Sequence, residues 1–373
     1  MTTVSGAEEG RQPVGLVVGE AGVRIWGMTS TERLNRIFRR VGVEPATAVP
    51  ADRDRVVVLA NAGWVFDESL IKALAGQPGV ALIDDTGAVT AVCVTAADAP
   101  TAAADPSSLP LKRLTALELG SAYNSALRKR EAPVLERLTA ERVRAVEKRL
   151  FQGSYKGVTD LVTKYVWPAP ARVVTRWCAL AGMTPNQVTM IGFILVLAAF
   201  GLFWTGHFAL GLICAWIMTF LDTVDGKLAR VTLTSSKIGN VFDHGIDLIH
   251  PPFWWWAWLV GVQAGPHPLP WEGLFLAIVA GGYVAQRIEE GIFLGRFKLE
   301  MHAWRPFDSF FRLITARRNP NLILLTLSVL VGRPDLGLAA VALWTVICFG
   351  VHAAQIVQAE RAPKGSITSW LAA

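Results

Sequence analysis

Four aspartates, Asp222, Asp225, Asp243 and Asp247, stand within the segment LDTVDGKLARVTLTSSKIGNVFDHGIDLIH, in the more apolar half of the chain. On helices, separations of three and four residues put each pair of carboxylates on one face. Isolated charges at membrane depth are costly, and four acids converging on one cavity repel each other unless they are protonated or neutralised. Divalent cations solve that problem most simply. Oxygen-only ligation suits Mg²⁺, Mn²⁺ or Ca²⁺, and no cysteine or histidine spacing argues for zinc. Small residues keep the same register: Gly226 lies four after Asp222, Ala229 four after Asp225, and Gly239 four before Asp243. Lacking bulk, they let a flat ligand or another backbone approach closely. Arg230 offers a planar fork for a phosphate oxygen. These residues together predict a metal site beside a phosphate-sized pocket. Helix packing through small residues, with the acids solvated in a loop, is the bland alternative.

The elements that must hold such a site are legible in outline. The chain has 373 residues, 52% of them hydrophobic, and a mean hydropathy of +0.38, high for a soluble protein. Its first 160 residues mix charge with short apolar runs, whereas the later half contains apolar stretches of roughly 20 residues, enough to cross a bilayer. The expectation is an all-α six-helix transmembrane domain preceded by a small soluble α/β domain. Residues 1–110 alternate strand-like and helix-like signals. Residues 111–155 read as a helical connector and 156–185 as an amphipathic helix lying along a membrane surface. Six spans are expected at 187–205, 208–226, 239–260, 273–292, 320–333 and 336–357.

Charge sets an expected orientation. The connections after the second and fourth spans hold Lys227, Arg230, Lys237, Arg296, Lys298, Arg305, Arg312, Arg317 and Arg318, and the opposite connections hold only Arg333. Both termini and the active site are therefore expected on the cytoplasmic side of an inner, cytoplasmic-type membrane. Trp254, Trp255, Trp256 and Trp258 then fall at the outer end of the third span, where indoles favour the interface; an aromatic core patch is the competing reading. The chain does not open with a basic start followed by an apolar run, so no cleaved signal peptide is expected. The formal charge of +6 could suit nucleic acid, anionic lipid or phosphorylated substrates, and lipid headgroups fit the hydropathy best; no nucleic-acid partner is expected. Cys93, Cys178, Cys214 and Cys348 lack metal-ligand spacing and read as packing thiols.

The pattern Asp, two residues, Asp-Gly, two residues, Ala-Arg, eight residues, Gly, three residues, Asp, three residues, Asp resembles the signature of the CDP-alcohol phosphotransferases at every defined position. MTPNQVT at 183–189 is similar to the Pro-Asn-x-x-Thr start of that family's first span. The resemblance covers residues 156–360. It implies transfer of a phosphoalcohol, phosphatidyl by preference, from a CDP-alcohol donor to an acceptor hydroxyl with release of CMP, in phospholipid biosynthesis. A two-metal centre of Mg²⁺ or Mn²⁺ fits such chemistry. By the same resemblance Asp222, Asp225 and Asp243 are metal ligands. Asp247 is the base that takes the acceptor proton and also touches metal. Gly226, Ala229, Arg230 and Gly239 border the cytidine diphosphate, with Asn186 nearby. The partners implied are the CDP-alcohol, an alcohol acceptor, membrane lipids and a second copy of the chain as a homodimer. A diacylglycerol-bearing donor with an inositol phosphate or glycerol phosphate acceptor leads; the reverse partition, with a lipid acceptor, stays open.

The remaining polar residues carry weaker signals. His244 and His250 read as packing or supporting residues. Arg287 expects either an anion or one of Glu289 and Glu290 as partner. ARRN at 316–319 and Lys298 read as anchors to anionic headgroups, with an acceptor phosphate as the alternative. The amino-terminal region resembles, through GEAGVR at 19–24 and VVVLANAGWVFD at 56–67, the nucleotidyltransferase domains fused in front of some family members. The metal-binding Asp of that pattern falls at Gly63, and no Lys-Pro follows the Gly-rich loop, so a degenerate, non-catalytic domain is expected. A bifunctional enzyme that makes its own CDP-alcohol and a cation transporter are the rival readings.

Overall fold

A computed structural model describes residues 12–120, 123–124, 127–235, 237–363 and 365–372, with only the backbone described at 237, 238 and 240–244. The chain divides into two compact units. One comprises Met1–Asn124, Arg130–Ser154 and Val231–Leu233; the other comprises Ser125–Lys129, Tyr155–Arg230 and Thr234–Ala373.

The first unit is built on a six-stranded mixed sheet. Its strands are β1 (Val14–Val18), β2 (Glu44–Ala46), β3 (Val56–Asn61), β4 (Val80–Ile83), β5 (Val89–Thr95) and β6 (Lys112–Leu114), in the order β2-β1-β3-β5-β4-β6. β1 runs parallel to β2 and β3, β5 runs antiparallel to β3 and β4, and β6 is parallel to β4. The period of two along β3 sorts its side chains onto two faces. Val58 and Ala60 pack with Leu34, Ile37 and Phe38 of α1 (Ser30–Val41) and Leu70 and Leu74 of α2 (Glu68–Ala75), while Val57 and Leu59 pack with Val14, Leu16, Val92 and Val94. Thr29 and Asp67 cap the two helices through their side chains.

The segment expected to be a helical connector is mostly something else. Residues 112–114 complete the sheet as β6, Leu135–Arg137 pairs antiparallel with Trp64–Phe66, and only Val143–Gly153 forms a helix of more than two turns. Pro110, Gly120 and Pro133 interrupt helical continuity in this charged stretch, and its short polar pieces satisfy their backbone groups on strand edges instead.

The second unit is helical. After a π-helical turn at Val162–Val166 come α3 (Pro168–Leu180), α4 (Pro185–Trp204), α5 (Phe208–Val231), α6 (Lys237–Gln263), α7 (Gly282–Phe297), α8 (Pro306–Phe311), α9 (Arg318–Leu330) and α10 (Pro334–Arg361). Thr184 and Gln187 form a reciprocal capping box, with Pro185 in the first turn, so the start of α4 is written in the residues themselves. Among the described residues, α4, α5 and α10 are long and apolar enough to cross a membrane. Rows of exposed apolar side chains nevertheless run along six helices: Ile194 and Leu197 on α4, Ile213 and Ile217 on α5, Ile249 and Phe253 on α6, Val284 and Ile288 on α7, Leu327 and Leu330 on α9, and Leu343 and Ile347 on α10. Their three- and four-residue spacing puts each row on one helix face.

The interior of this unit overturns one expectation. Trp254, Trp255 and Trp258 are buried, and only Trp256 stays partly exposed at 38%. Trp254 donates its indole N–H to the Val196 carbonyl and Trp258 to that of Pro334, both at 3.0 Å. Trp254, Trp255 and Trp258 thus belong to the bundle core rather than to an interfacial belt, and carbonyls at helix positions satisfy the polar edges of Trp254 and Trp258. α4 and α6 meet closely where Gly261 faces the Phe203 carbonyl, and a Cβ at 261 would be driven into that backbone oxygen. Gly261→Ala should therefore destabilise the folded protein by about 1–3 kcal/mol, the usual range for overpacking. Gly350→Ala, with open space around its Cβ, should leave stability unchanged or slightly raised. Thermal unfolding of the two variants in one detergent checks this, and equal midpoints would refute the close contact.

Candidate active site

Helix α5 carries Asp222, Asp225, Gly226 and Arg230, and helix α6 carries Asp243 and Asp247. Asp222, Asp225 and Asp247 line one small cavity together with Thr189, Gly192, Met218 and Ile246, so three of the four motif carboxylates converge from two helices. The side chain of Asp243 lies outside the described residues, as does that of His244. Asp225 is buried and accepts a 2.6 Å hydrogen bond from the Thr189 hydroxyl, which ties the start of α4 to the acidic centre. The Arg318 guanidinium, at the start of α9, donates one nitrogen to Asp222 and another to Asp247. A single fixed cation thereby holds two helices' acids together.

The backbone of α6 is interrupted beside Asp247. Pro251 and Pro252 lie inside the helix, and a proline has no N–H to give the carbonyl four residues earlier. The Asp247 carbonyl instead faces the Tyr283 hydroxyl at 3.4 Å, and Tyr283 belongs to α7.

The acids open onto a larger cavity of about 640 Å³. Eight cationic side chains line it, Arg128, Lys156, Lys227, Arg230, Arg287, Arg312, Arg317 and Arg318, against five carboxylates, Asp160, Asp222, Asp247, Glu290 and Glu300. This excess of positive charge is felt by the groups themselves. Burial, then the nearby Arg128 and Arg230, push the Lys156 ammonium below its ordinary value. Burial, then Arg317, bring Arg312 down to about 9, although Asp160 pulls the other way. Burial alone would raise Asp160, but Arg312 with the Thr163 N–H and the Asn319 amide hold its carboxyl below the usual range. A polyanion entering this cavity would relieve the repulsion. Arg312 Nη1 and Arg287 Nε and Nη2 are buried without a hydrogen-bond partner among the described residues. Lys227 lies over the Tyr155 ring with its ammonium 3.4 Å from the centroid.

The motif residues are not all equally near. Gly226 and Arg230 line the large cavity. Ala229 does not, and its carbonyl instead accepts from Thr234 N–H and the Ser235 hydroxyl at the end of α5. Gly239 sits in the first turn of α6, and Asn186 is exposed in the first turn of α4; neither lines either cavity. A Cβ on Gly226 would meet the Arg230 guanidinium at 3.5 Å, an ordinary contact, so the protein itself does not demand glycine there.

Several residues read otherwise from sequence have found partners. Arg317 and Arg318 do not serve as exposed headgroup anchors: Arg317 pairs with Glu290 and Arg318 with the two aspartates, because buried acids outcompete solvent for the guanidinium fork. Lys298 is exposed. Arg287 pairs with Glu290 at 3.0 Å. His250 is buried, bonds the Ile246 carbonyl through Nδ1 and packs on Trp254, a packing role. Lys156, Asp160 and Arg312 were not singled out from sequence, and only the basic run around them hinted at a site. The four cysteines are free, as their spacing suggests.

Among the described residues three carboxylates share one small cavity, a set that fits hard divalent cations. Residues 182–351 match the family described as CDP-alcohol phosphatidyltransferase. The archaetidylinositol phosphate synthase of Pyrococcus horikoshii is 34% identical over 116 residues, which is 31% of this chain and 58% of that protein. Cholinephosphotransferase 1 of Xenopus laevis is 31% identical over 148 residues, 36% of this chain and 35% of that protein. Choline/ethanolaminephosphotransferase 2 of Arabidopsis thaliana is 32% identical over 123 residues, 30% of each chain. The chain thus spans between about a third and three-fifths of the length of these relatives. The match to that family's model covers α4 to the middle of α10 and includes all four motif aspartates.

Proposed function

We propose that this protein transfers a phosphoalcohol group from a CDP-alcohol to an acceptor hydroxyl and releases CMP. The observation that carries the reading is the convergence of Asp222, Asp225 and Asp247 beside a cavity whose cationic lining suits a diphosphate. Asp222, Asp225, Asp243 and Asp247 are the candidate holders of two divalent cations, Mg²⁺ or Mn²⁺, which when bound would neutralise the diphosphate and favour departure of CMP. Arg230 and Gly226 border the nucleotide side, Gly226 by leaving room and Arg230 by donating to phosphate oxygens. Ala229, Gly239 and Asn186 line neither cavity and border the nucleotide by the family resemblance alone. Asp247 is the candidate base, aimed by Tyr283 and held by Arg318 until the acceptor arrives. The acceptor side would be the cluster of Lys156, Arg312 and Arg317, which favours an alcohol that itself carries a phosphate, such as an inositol phosphate or glycerol phosphate, with a phosphatidyl donor.

The same reading places six helices across a membrane, since the exposed apolar rows on α4, α5, α6, α7, α9 and α10 suit lipid better than water. The basic connections then face the cytoplasm with the active site and both termini, and a homodimer is the assembly that the family resemblance implies. The amino-terminal unit is proposed to be a nucleotidyltransferase-like domain without that activity. Gly63 has no side chain to offer a cation, its N–H donating to Asn61 Oδ1 and its carbonyl accepting from Leu138 N–H, and Asp67 is engaged in capping α2.

Three measurements test the proposal. Purified protein given a CDP-alcohol and acceptor should release CMP, lose that activity on exhaustive chelation and regain it with Mg²⁺; full turnover after chelation would remove the metal assignment. Asp247→Asn keeps shape and hydrogen bonding but loses the basic oxygen, so turnover should fall by roughly 10²–10⁴-fold while CDP-alcohol binding survives. Near-normal turnover would leave Asp247 as at most a supporting ligand. Gly226→Ala separates ligand from fold. It should stabilise the helix by up to about 1 kcal/mol yet raise the KM for the CDP-alcohol about tenfold, equivalent to about 1.4 kcal/mol. An unchanged KM would move the nucleotide away from this face of α5.

A further inference from the structure

A second cluster of metal-binding side chains lies in the helical unit, apart from the four aspartates. Glu290 on α7, His302 in the short turn Met301–Ala303 and His352 on α10 each present a ligand atom, and these atoms all lie within 4.8 Å of one another. His302 is 3% exposed and His352 is fully buried. Neither ring nitrogen of His352, nor Nδ1 of His302, has a hydrogen-bond partner among the described residues. Leaving three such nitrogens buried and unsatisfied is expensive unless something else engages them.

Of the two neighbouring glutamates one is already compensated and the other is not. Glu290 is paired with both Arg287 and Arg317 and also accepts from His302 Nε2 at 3.1 Å. The neighbouring Glu289, also buried, has no arginine or lysine partner among the described residues, and its Oε2 stands 3.6 Å from His352 Nδ1, too far for a hydrogen bond. A carboxylate beside an imidazole in this way is the arrangement that orients a ligating histidine.

We propose that Glu290, His302 and His352, with Glu289 beside them, form a site for a borderline divalent metal ion of the Zn²⁺ class, distinct from the oxygen-only centre of the aspartates. Two imidazoles and a carboxylate are a zinc-type donor set, whereas Mg²⁺ prefers oxygen alone. An ion there would tie α7, the 301–303 turn and α10 to one point, and it would supply the positive charge that Glu289 lacks. The ligands come from three elements separated by many residues, which is why no local spacing in the sequence announces them.

The test uses the full-length purified protein in excess Mg²⁺, so that the aspartates do not compete for added Zn²⁺. Zinc retained through gel filtration is measured by elemental analysis, and its ligands by X-ray absorption. Stoichiometric zinc with imidazole back-scattering is expected, lost to background in the His302→Gln, His352→Gln double variant and kept in Asp222→Asn. Zinc that washes off the unsubstituted protein, persists in the double variant, or disappears with Asp222→Asn would each overturn the proposal. If the double variant fails to fold, the absorption spectrum of the unsubstituted protein still decides: an all-oxygen shell refutes the site and an imidazole-containing shell supports it.

Discussion

The helical unit is organised around acids that cannot be left uncompensated among apolar helices. Asp222 on α5 and Asp247 on α6 share the guanidinium of Arg318, and Asp225 is held by the Thr189 hydroxyl. A buried carboxylate without a partner would protonate or pull the helices apart. The fork of Arg318 prevents both, because its planar donors reach two carboxylates from one side chain. The same interaction fixes the relative register of α5, α6 and α9, and so fixes the mouth of the cationic cavity beside them. Any cation that enters the acidic centre must therefore share the acids with Arg318 or displace it.

The division of labour inside the unit follows from that constraint. One end of the α5 and α6 pair is polar and carries the acids, while the other is a tight aromatic core of Phe203, Phe208, Trp254 and Trp258. Phe203 and Trp258 pack with ring centroids 5.0 Å apart, and Phe208 and Trp258 at 4.5 Å. Such contacts add to plain burial and resist repacking. The acidic end can then be held open for ligands without loss of the bundle.

Much of this was legible in the residues and some was not. The four aspartates with their small-residue register announced the centre because helical periodicity is local: Asp222 and Gly226, or Asp243 and Asp247, need only one turn of helix to be neighbours. The capping residues Thr184 and Gln187 marked the start of α4 for the same reason. Long-range partners leave no such trace. Nothing in ARRN says that Arg318 will reach back across 96 residues to Asp222, nor that Asp160 will accept from Asn319. The tryptophan run misled because an indole is equally at home at an interface or in a core, and only the carbonyls of Val196 and Pro334 decide between them. Residues 111–142 misled because charged residues at helical spacing say little about whether a strand edge waits nearby.

The paired prolines of α6 have a consequence for how this protein can diversify. Pro251 and Pro252 stand between the aromatic half of the helix and the half that carries Asp247, and remove the hydrogen bond to the Asp247 carbonyl. Beyond them, the Asp247 carbonyl is met from outside the helix, by the Tyr283 hydroxyl. A change at residue 283 would therefore act on the backbone beside this acid while the tryptophan wall stays untouched. The backbone contact beside the acid and the aromatic packing thus sit on separate residues, free to drift independently.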